Sequence, residues 1–245
     1  MANWKTTTIL DKKVWDDGLI SLTLDIELEP FKAGQFIKVG LQVGDDRIER
    51  PYSLVNSEEQ PNAEILFNEV EDGPLTSRLA QLNKGDQLLA TTDAHGFLIL
   101  EEVPDVPHLW MFATGTGIGP FISMLNSTQS QRFERIVIIH GTTHEKSLAY
   151  RNQLEGLEHI DQRITYLPVI SREKTEGLME GRITDHLSSG EVEKRANLEL
   201  SAEQSHVLLC GNIDMIRDVQ AVLAERGMKK HKRFEPGHIS MEKYH

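Results

Sequence analysis

The sequence predicts two domains: an N-terminal antiparallel six-stranded β-barrel, then a C-terminal α/β domain with a doubly wound parallel sheet. Three observations carry that expectation. Residues 4–98 hold short β-branched and apolar runs parted by turn residues, and residues 108–226 alternate strand-like with helix-like runs. Between them, Glu101-Glu102-Val103-Pro104-Asp105-Val106-Pro107 carries two prolines that resist both helix and central strand. The domains are therefore expected at residues 1–103 and 104–245. A chain of 245 residues is long enough for both.

In the first half the strand-like runs are 6–10, 19–28, 35–41, 47–55, 63–70 and 87–92, with Asp16-Asp17-Gly18, Val43-Gly44-Asp45-Asp46 and Lys84-Gly85-Asp86 as turns. Six such strands suit a small antiparallel barrel. One helix interrupts them, from Gly73 to Leu82, with Leu75, Leu79 and Leu82 on its apolar side and Pro74 in its first turn. The amides of Leu75 and Thr76 would then offer an anion site suited to a diphosphate, although an ordinary capped helix accounts for the element equally well. Within the fourth run, alternation sends Arg50 and Tyr52 to one side and Ser53 to the other. A guanidinium forks onto phosphate, a phenol ring lies on an aromatic system, and a hydroxyl can meet that system's edge. The trio suits a flavin nucleotide, while taken alone it reads more simply as a strand with a surface arginine and a half-buried tyrosine.

In the second half, the strand 108–113 leads into Thr114-Gly115-Thr116-Gly117-Ile118-Gly119-Pro120 and a helix through Leu125. Strands at 135–140, 164–170 and 207–210 and helices at 147–157 and 213–226 follow. A doubly wound sheet binds ligands at the carboxyl ends of its strands. The glycine spacing is not that of the common dinucleotide fingerprint. Yet small or polar residues also end the other strands: Gly141-Thr142-Thr143-His144, Ser171-Arg172 and Gly211-Asn212.

Acidic side chains outnumber basic ones 38 to 26, for a net charge of -12, which argues against general nucleic-acid or anionic-membrane binding. A single cysteine, Cys210, excludes an intrachain disulfide and any multi-thiolate iron-sulfur or zinc site on this chain. The ten histidines show no ligand spacing with a third ligand nearby, so no metal is expected. The N-terminal residues lack the blocks of a signal peptide, no apolar run approaches the roughly 20 residues of a membrane span, and the expected location is cytoplasmic. In so acidic a chain, Lys229-Lys230-His231-Lys232-Arg233 is a candidate docking patch for an acidic protein.

Arg50-Pro51-Tyr52-Ser53, Gly73-Pro74-Leu75-Thr76, Ala113-Thr114-Gly115-Thr116-Gly117-Ile118-Gly119-Pro120, Val169-Ile170-Ser171-Arg172-Glu173, Gly181-Arg182-Ile183, Cys210-Gly211-Asn212 and Glu242-Lys243-Tyr244-His245 follow one another in an order and spacing that resembles the bacterial ferredoxin (flavodoxin)–NADP+ reductase family. The resemblance covers essentially the whole chain. It implies FAD on the barrel, NADP(H) on the α/β domain, hydride transfer between NADPH and flavin N5, and single-electron transfer to flavodoxin or ferredoxin. It also implies site residues. Tyr52 and Tyr244 would stack on the two faces of the isoalloxazine, with Ser53 near N5, Arg50, Pro74, Leu75 and Thr76 on the diphosphate, and Pro51, Leu66, Thr116 and His245 also at the FAD. Ser171, Arg172 and Arg182 would take the adenosine 2'-phosphate end of NADP, and Thr142, Thr143, Asn212 and Asp214 would bind the same nucleotide. Cys210 would border the nicotinamide. Glu242 would stand for the family's C-terminal carboxylate, so that the catalytic set is Ser53, Cys210 and Glu242.

The implied partners are acidic carriers, flavodoxin or ferredoxin, docking at Lys229, Lys230, Lys232 and Arg233 on a monomer. Two departures from close relatives stand out. Thr142-Thr143-His144 replaces a segment with an arginine, which implies a weaker preference for NADPH over NADH, and His245 replaces a terminal aromatic, usually tryptophan. Two other readings stay open at this point: an NAD(P)H-dependent free-flavin or quinone reductase, and an electron-transfer subunit of a larger complex.

Overall fold

The computed structural model describes residues 3–232 and 234–244, with Tyr244 described for its backbone only. The chain forms two compact units, one of Met1–Leu100 with Gly119–Ser130 and the other of Glu101–Ile118 with Gln131–His245. A single cut at residues 103 and 104 would leave out this return of the chain to the first unit.

The first unit contains β1 (Trp4–Asp16), β2 (Leu19–Leu24), β3 (Phe36–Val43), β4 (Asp46–Ser53), β5 (Ala63–Asn68) and β6 (Gln87–Thr91). They pair antiparallel in the order β4-β3-β6-β1-β2-β5. The two outer strands then meet: Leu54 bridges Ile65, the Val55 amide donates to the Glu64 carbonyl at 2.8 Å, and the Glu64 amide donates to Asn56 Oδ1 at 2.8 Å. This closes the sheet into the expected barrel, which removes the open edges of a flat sheet. Alternate residues such as Leu22 and Leu24, Ile37 and Val39, and Ile65 and Phe67 fill its interior. The fully buried Leu54 sits at the closure, where truncation to alanine would cost about 2–5 kcal/mol.

The helix α1 (Thr76–Gln81) is shorter than the sequence pattern suggests, and Pro74 stands just before it. Side-chain bonds hold the preceding turn instead: the Val70 amide donates to Thr76 Oγ1 at 3.1 Å and Ser77 Oγ donates to the Gly73 carbonyl at 2.5 Å. The helix α2 (Gly119–Asn126) belongs to this unit through Ser123, whose hydroxyl donates to the Asn56 carbonyl at 2.6 Å and accepts from the Gly34 amide at 3.3 Å.

The second unit contains β7 (His108–Thr114), β8 (Arg135–Thr142), β9 (Ile164–Ile170), β10 (Met179–Glu180), β11 (Ser205–Asn212) and β12 (Ile239–Tyr244), all parallel, in the order β10-β9-β8-β7-β11-β12. The chain runs outward from β7 to β10 and then returns to the other side of β7. The topological switch point thus lies between the carboxyl ends of β7 and β11, the place where such sheets receive ligands. Trp110, Phe112, Val137, Ile139, Val207 and Leu209 build the core with Ile216, Val219 and Leu223 of α6 (Ile213–Glu225).

Four strands were expected here, and β10 and β12 extend the sheet at its two edges. The short helices α4 (Ile183–Ser188) and α5 (Glu191–Ala196) were not anticipated. The helix expected from residue 147 is α3 (Arg151–Ile160), which starts later because Tyr150 takes a left-handed backbone at φ 60° after the tight turn Glu145–Ser147. No helix among the described residues is long and apolar enough to cross a membrane.

Candidate functional site

In the first unit, the end of β4 carries the Arg50 to Ser53 motif. Arg50 and Pro51 are exposed, and Arg50 Nη1 donates to the neighbouring Glu49 carbonyl at 2.7 Å. Tyr52 is only 9% exposed and meets Phe67 edge-on, ring centres 6.0 Å apart. Its hydroxyl is buried and has no hydrogen-bond partner among the described residues. Burial pushes this phenol up to about 12, partly opposed by the Arg50 charge. Ser53, on the opposite side by that alternation, is buried as well. The expected alternation therefore gives no wet and dry face here, because β4 ends at the barrel closure.

Leu66 is buried on β5, where Gly119 packs against Val55 and Leu66. At the start of α1, Leu75 is buried, Thr76 half-buried and Pro74 exposed, with no side chain capping the helix.

In the second unit the remaining candidates fall into two corners of the sheet's carboxyl edge. At the switch corner, Thr114 Oγ1 accepts from the Asn212 amide at 2.8 Å, joining the end of β7 to the end of β11. A tight 3-10 turn, Gly115–Ile118, follows and carries the half-buried Thr116. Gly117 packs so closely on the Cys210 carbonyl that an added Cβ would lie 2.4 Å from its oxygen, which explains a glycine there. Cys210 is fully buried and stands in register with Glu242 of β12, as Asn212 does with Tyr244. Asn212 caps α6 by accepting from the Asp214 amide at 2.8 Å, while the exposed Asp214 pairs with Arg217 at 3.2 Å.

At the other corner the backbone gathers three segments. The Ser171 amide donates to the Thr142 carbonyl and the Arg172 amide to the Thr143 carbonyl, each at 3.0 Å, and the Gly181 amide donates to the Ile170 carbonyl at 2.8 Å. Thr143, Ser171, Arg172 and Arg182 are all exposed, and Thr142 is half-buried. Neither Arg172 nor Arg182 has an ion-pair partner among the described residues. His144 Nδ1 sits 3.0 Å from Thr143 Oγ1 on its own segment.

Lys229 and Lys230 are exposed, but Lys232 is paired with Glu235 at 2.7 Å, so the basic run is less positive than its sequence suggests. Arg233, His245 and the Tyr244 side chain lie outside the described residues. Among the described residues, no group of three His, Cys, Asp or Glu side chains is placed to hold a metal ion.

One polar residue beneath the switch corner escaped the sequence reading. His140 is fully buried in β8 and reaches both the Gly115 carbonyl and the Tyr166 hydroxyl at 3.2 Å. The signal was a lone polar side chain closing the apolar run from Ile136 to Ile139, just before Gly141.

A flavin-binding barrel joined to a pyridine-nucleotide-binding α/β unit is the class this fold and these two sets of residues define. Residues 12–92 match the oxidoreductase FAD-binding domain model and residues 111–221 the oxidoreductase NAD-binding domain model. The flavodoxin/ferredoxin–NADP reductase of Escherichia coli (strain K12) is 41% identical over 247 residues, covering 100% of both chains. That of Buchnera aphidicola subsp. Baizongia pistaciae is 40% identical over 248 residues, again covering 100% of both. The crystal structure of a ferredoxin NADP+ reductase from Neisseria gonorrhoeae with bound FAD and NADP superposes with a TM-score of 0.94 at 31% identity, covering 99% of each chain. The chain belongs to the flavodoxin/ferredoxin–NADP reductase family.

The residues present fit the cofactor such a family implies. The buried Tyr52 hydroxyl has no partner among the described residues and suits an acceptor on a bound group, and the exposed Arg50, which spends one Nη1 bond on the Glu49 carbonyl, keeps donors for a phosphate.

Proposed function

We propose that this chain exchanges electrons between NADPH and a flavodoxin or ferredoxin, with FAD as the resident cofactor of the first unit and the nicotinamide nucleotide on the second. The observation that carries the nucleotide choice is the pair of exposed guanidiniums, Arg172 and Arg182, neither of which pairs with a carboxylate among the described residues. A dianionic 2'-phosphate supplies the missing partner, and NADH has none to offer.

FAD, when bound, links the two-electron chemistry of the nucleotide to the one-electron chemistry of the carrier. The protein's part is to hold and orient. Tyr52, Ser53 and Leu66 form the flavin-facing surface with Pro51, while Arg50, Pro74, Leu75 and Thr76 take the diphosphate, and Thr116, Tyr244 and His245 complete the FAD set. Thr142, Thr143 and Ser171 line the phosphate corner beside the two arginines, and Asn212 and Asp214 bind nearer the switch point. Cys210 borders the nicotinamide, and Glu242, in register with it, orients the ring or holds a proton. A single buried thiol, Cys210, suits a monomer in the reducing cytoplasm.

Steady-state reduction of purified flavodoxin and ferredoxin with NADPH and with NADH tests this. At least one carrier should be reduced, with a higher kcat/KM for NADPH. Reduction of free FMN or a quinone with neither carrier reduced would instead establish the free-flavin or quinone reductase reading.

The docking surface for the acidic carrier is the basic run, chiefly Lys229 and Lys230, since Lys232 is paired and complementary patches act on encounter rate and its salt dependence. Reversing Lys229 and Lys230 to glutamate should slow carrier reduction and flatten its dependence on ionic strength, leaving ferricyanide reduction unchanged. Equal losses on both acceptors would assign the lysines to folding or nucleotide binding.

A further inference from the structure

His140 lies between Ile139 and Gly141 with no exposed surface, and its two ring nitrogens face different partners. A carbonyl only accepts, so Nε2 must carry the ring proton toward the Gly115 oxygen, and Nδ1 must accept from the Tyr166 hydroxyl. Burial holds the ring neutral, with its pKa down to about 4, and pushes the Tyr166 phenol up, so the hydroxyl keeps its proton to donate. The pair Tyr166 and His140 thus fixes one tautomer and aims it at one backbone carbonyl.

That carbonyl belongs to the peptide joining Gly115 to Thr116. A trans peptide is planar, so its N–H points opposite to its C=O, and a bond that draws the Gly115 carbonyl toward His140 turns the Thr116 amide away from it. Gly115 takes φ +53°, a backbone state in which glycine moves with little steric resistance, so the peptide needs an external restraint. The far side of the turn is held by Gly117 against the Cys210 carbonyl. We propose that His140, backed by Tyr166, is a positioning residue for the nicotinamide nucleotide: it sets the orientation of the Gly115–Thr116 peptide at the switch point. The inference rests on the reading that the nucleotide binds at this corner.

The test is titration calorimetry of NADP+ with the FAD-loaded protein and three variants. Glutamine places an amide nitrogen near the position of Nε2, whereas asparagine reaches only the position of Nδ1. His140→Gln should keep the dissociation constant within about threefold of the unsubstituted protein, and His140→Asn should raise it about tenfold, the loss expected for one buried hydrogen bond. Tyr166→Phe, which frees the tautomer without emptying the site, should raise it about threefold with an unchanged flavin absorption spectrum, and it decides the matter if His140→Asn does not fold. Equal constants for the Gln and Asn variants, or an unchanged constant for Tyr166→Phe, overturn the positioning role. Failure of the unsubstituted protein to bind NADP+ sinks the underlying reading instead.

Discussion

The two corners of the parallel sheet's carboxyl edge are built on opposite terms. At the switch corner the polar groups have partners inside the protein, from the buried His140 with Gly115 and Tyr166 to the half-buried Thr114 with the exposed Asn212, and Gly117 packs against Cys210. At the other corner the segments are tied through backbone bonds, and the exposed Arg172 and Arg182 have no ion-pair partner among the described residues. Altering one member of a buried pair leaves its partner unsatisfied unless the replacement keeps the bond. An exposed, unpaired group can change ligand preference alone. The two corners therefore differ in how far their side chains are already committed within the protein.

The largest expected effect lies at the buried corner and is a pH effect on stability. Burial lowers the His140 pKa from 6.5 to about 4, so between those values the unfolded chain binds a proton that the native ring rejects. Its contribution is present above about pH 6.5 and is lost as the pH falls toward 4, amounting to about 2 kcal/mol between pH 7 and pH 5. Urea unfolding at the two pH values should show this fall in the unsubstituted protein, and His140→Gln should remove that share of it. An identical pH dependence in both proteins would break the contrast between the corners.

At the exposed corner, Arg172→Ala should raise KM for NADPH about tenfold, since hydrogen bonds to charged groups are worth about 1.5–3 kcal/mol. KM for NADH and the urea midpoint should stay unchanged. An equal loss for both nucleotides would show that Arg172 also supports the fold or the common part of the ligand.

The smallest effect sharpens the comparison. Thr143 is exposed, and its carbonyl accepts from the Arg172 amide, so Thr143→Arg adds a third guanidinium beside an unchanged backbone. The NADPH to NADH ratio of kcat/KM should rise about threefold, the effect of one further exposed charge pair. A ratio that stays put would mean that the new side chain does not reach the phosphate.

What the sequence disclosed follows the same division. Strands with strong alternation or continuous apolar runs, such as Phe36–Val43 and Arg135–Thr142, were legible because burial on one or both faces dictates their residue types. Met179–Glu180 is too short to show a period, and Ile239–Tyr244 reads Ile-Ser-Met-Glu-Lys-Tyr, polar enough to pass for a tail, because an edge strand packs on few neighbours. The six-residue helices Ile183–Ser188 and Glu191–Ala196 carry no capping side chain, so the usual start signal was missing. The exposed arginines could be picked out by motif alone. His140 could not, since its role comes from a carbonyl 25 residues earlier in the chain and a hydroxyl 26 residues later. The Lys232 ion pair with Glu235 was equally invisible to a count of basic residues.

The return of Gly119–Ser130 to the barrel unit has a consequence for synthesis on the ribosome. The hydroxyl of Ser123 that ties Gly34 and Asn56 together emerges from the exit tunnel only after β7 and the glycine turn, both parts of the other unit. The barrel therefore cannot reach its finished state as an independent first product. More than half of the 245 residues must be translated before its last piece arrives, and the nascent chain has to begin its second unit while the first is still incomplete.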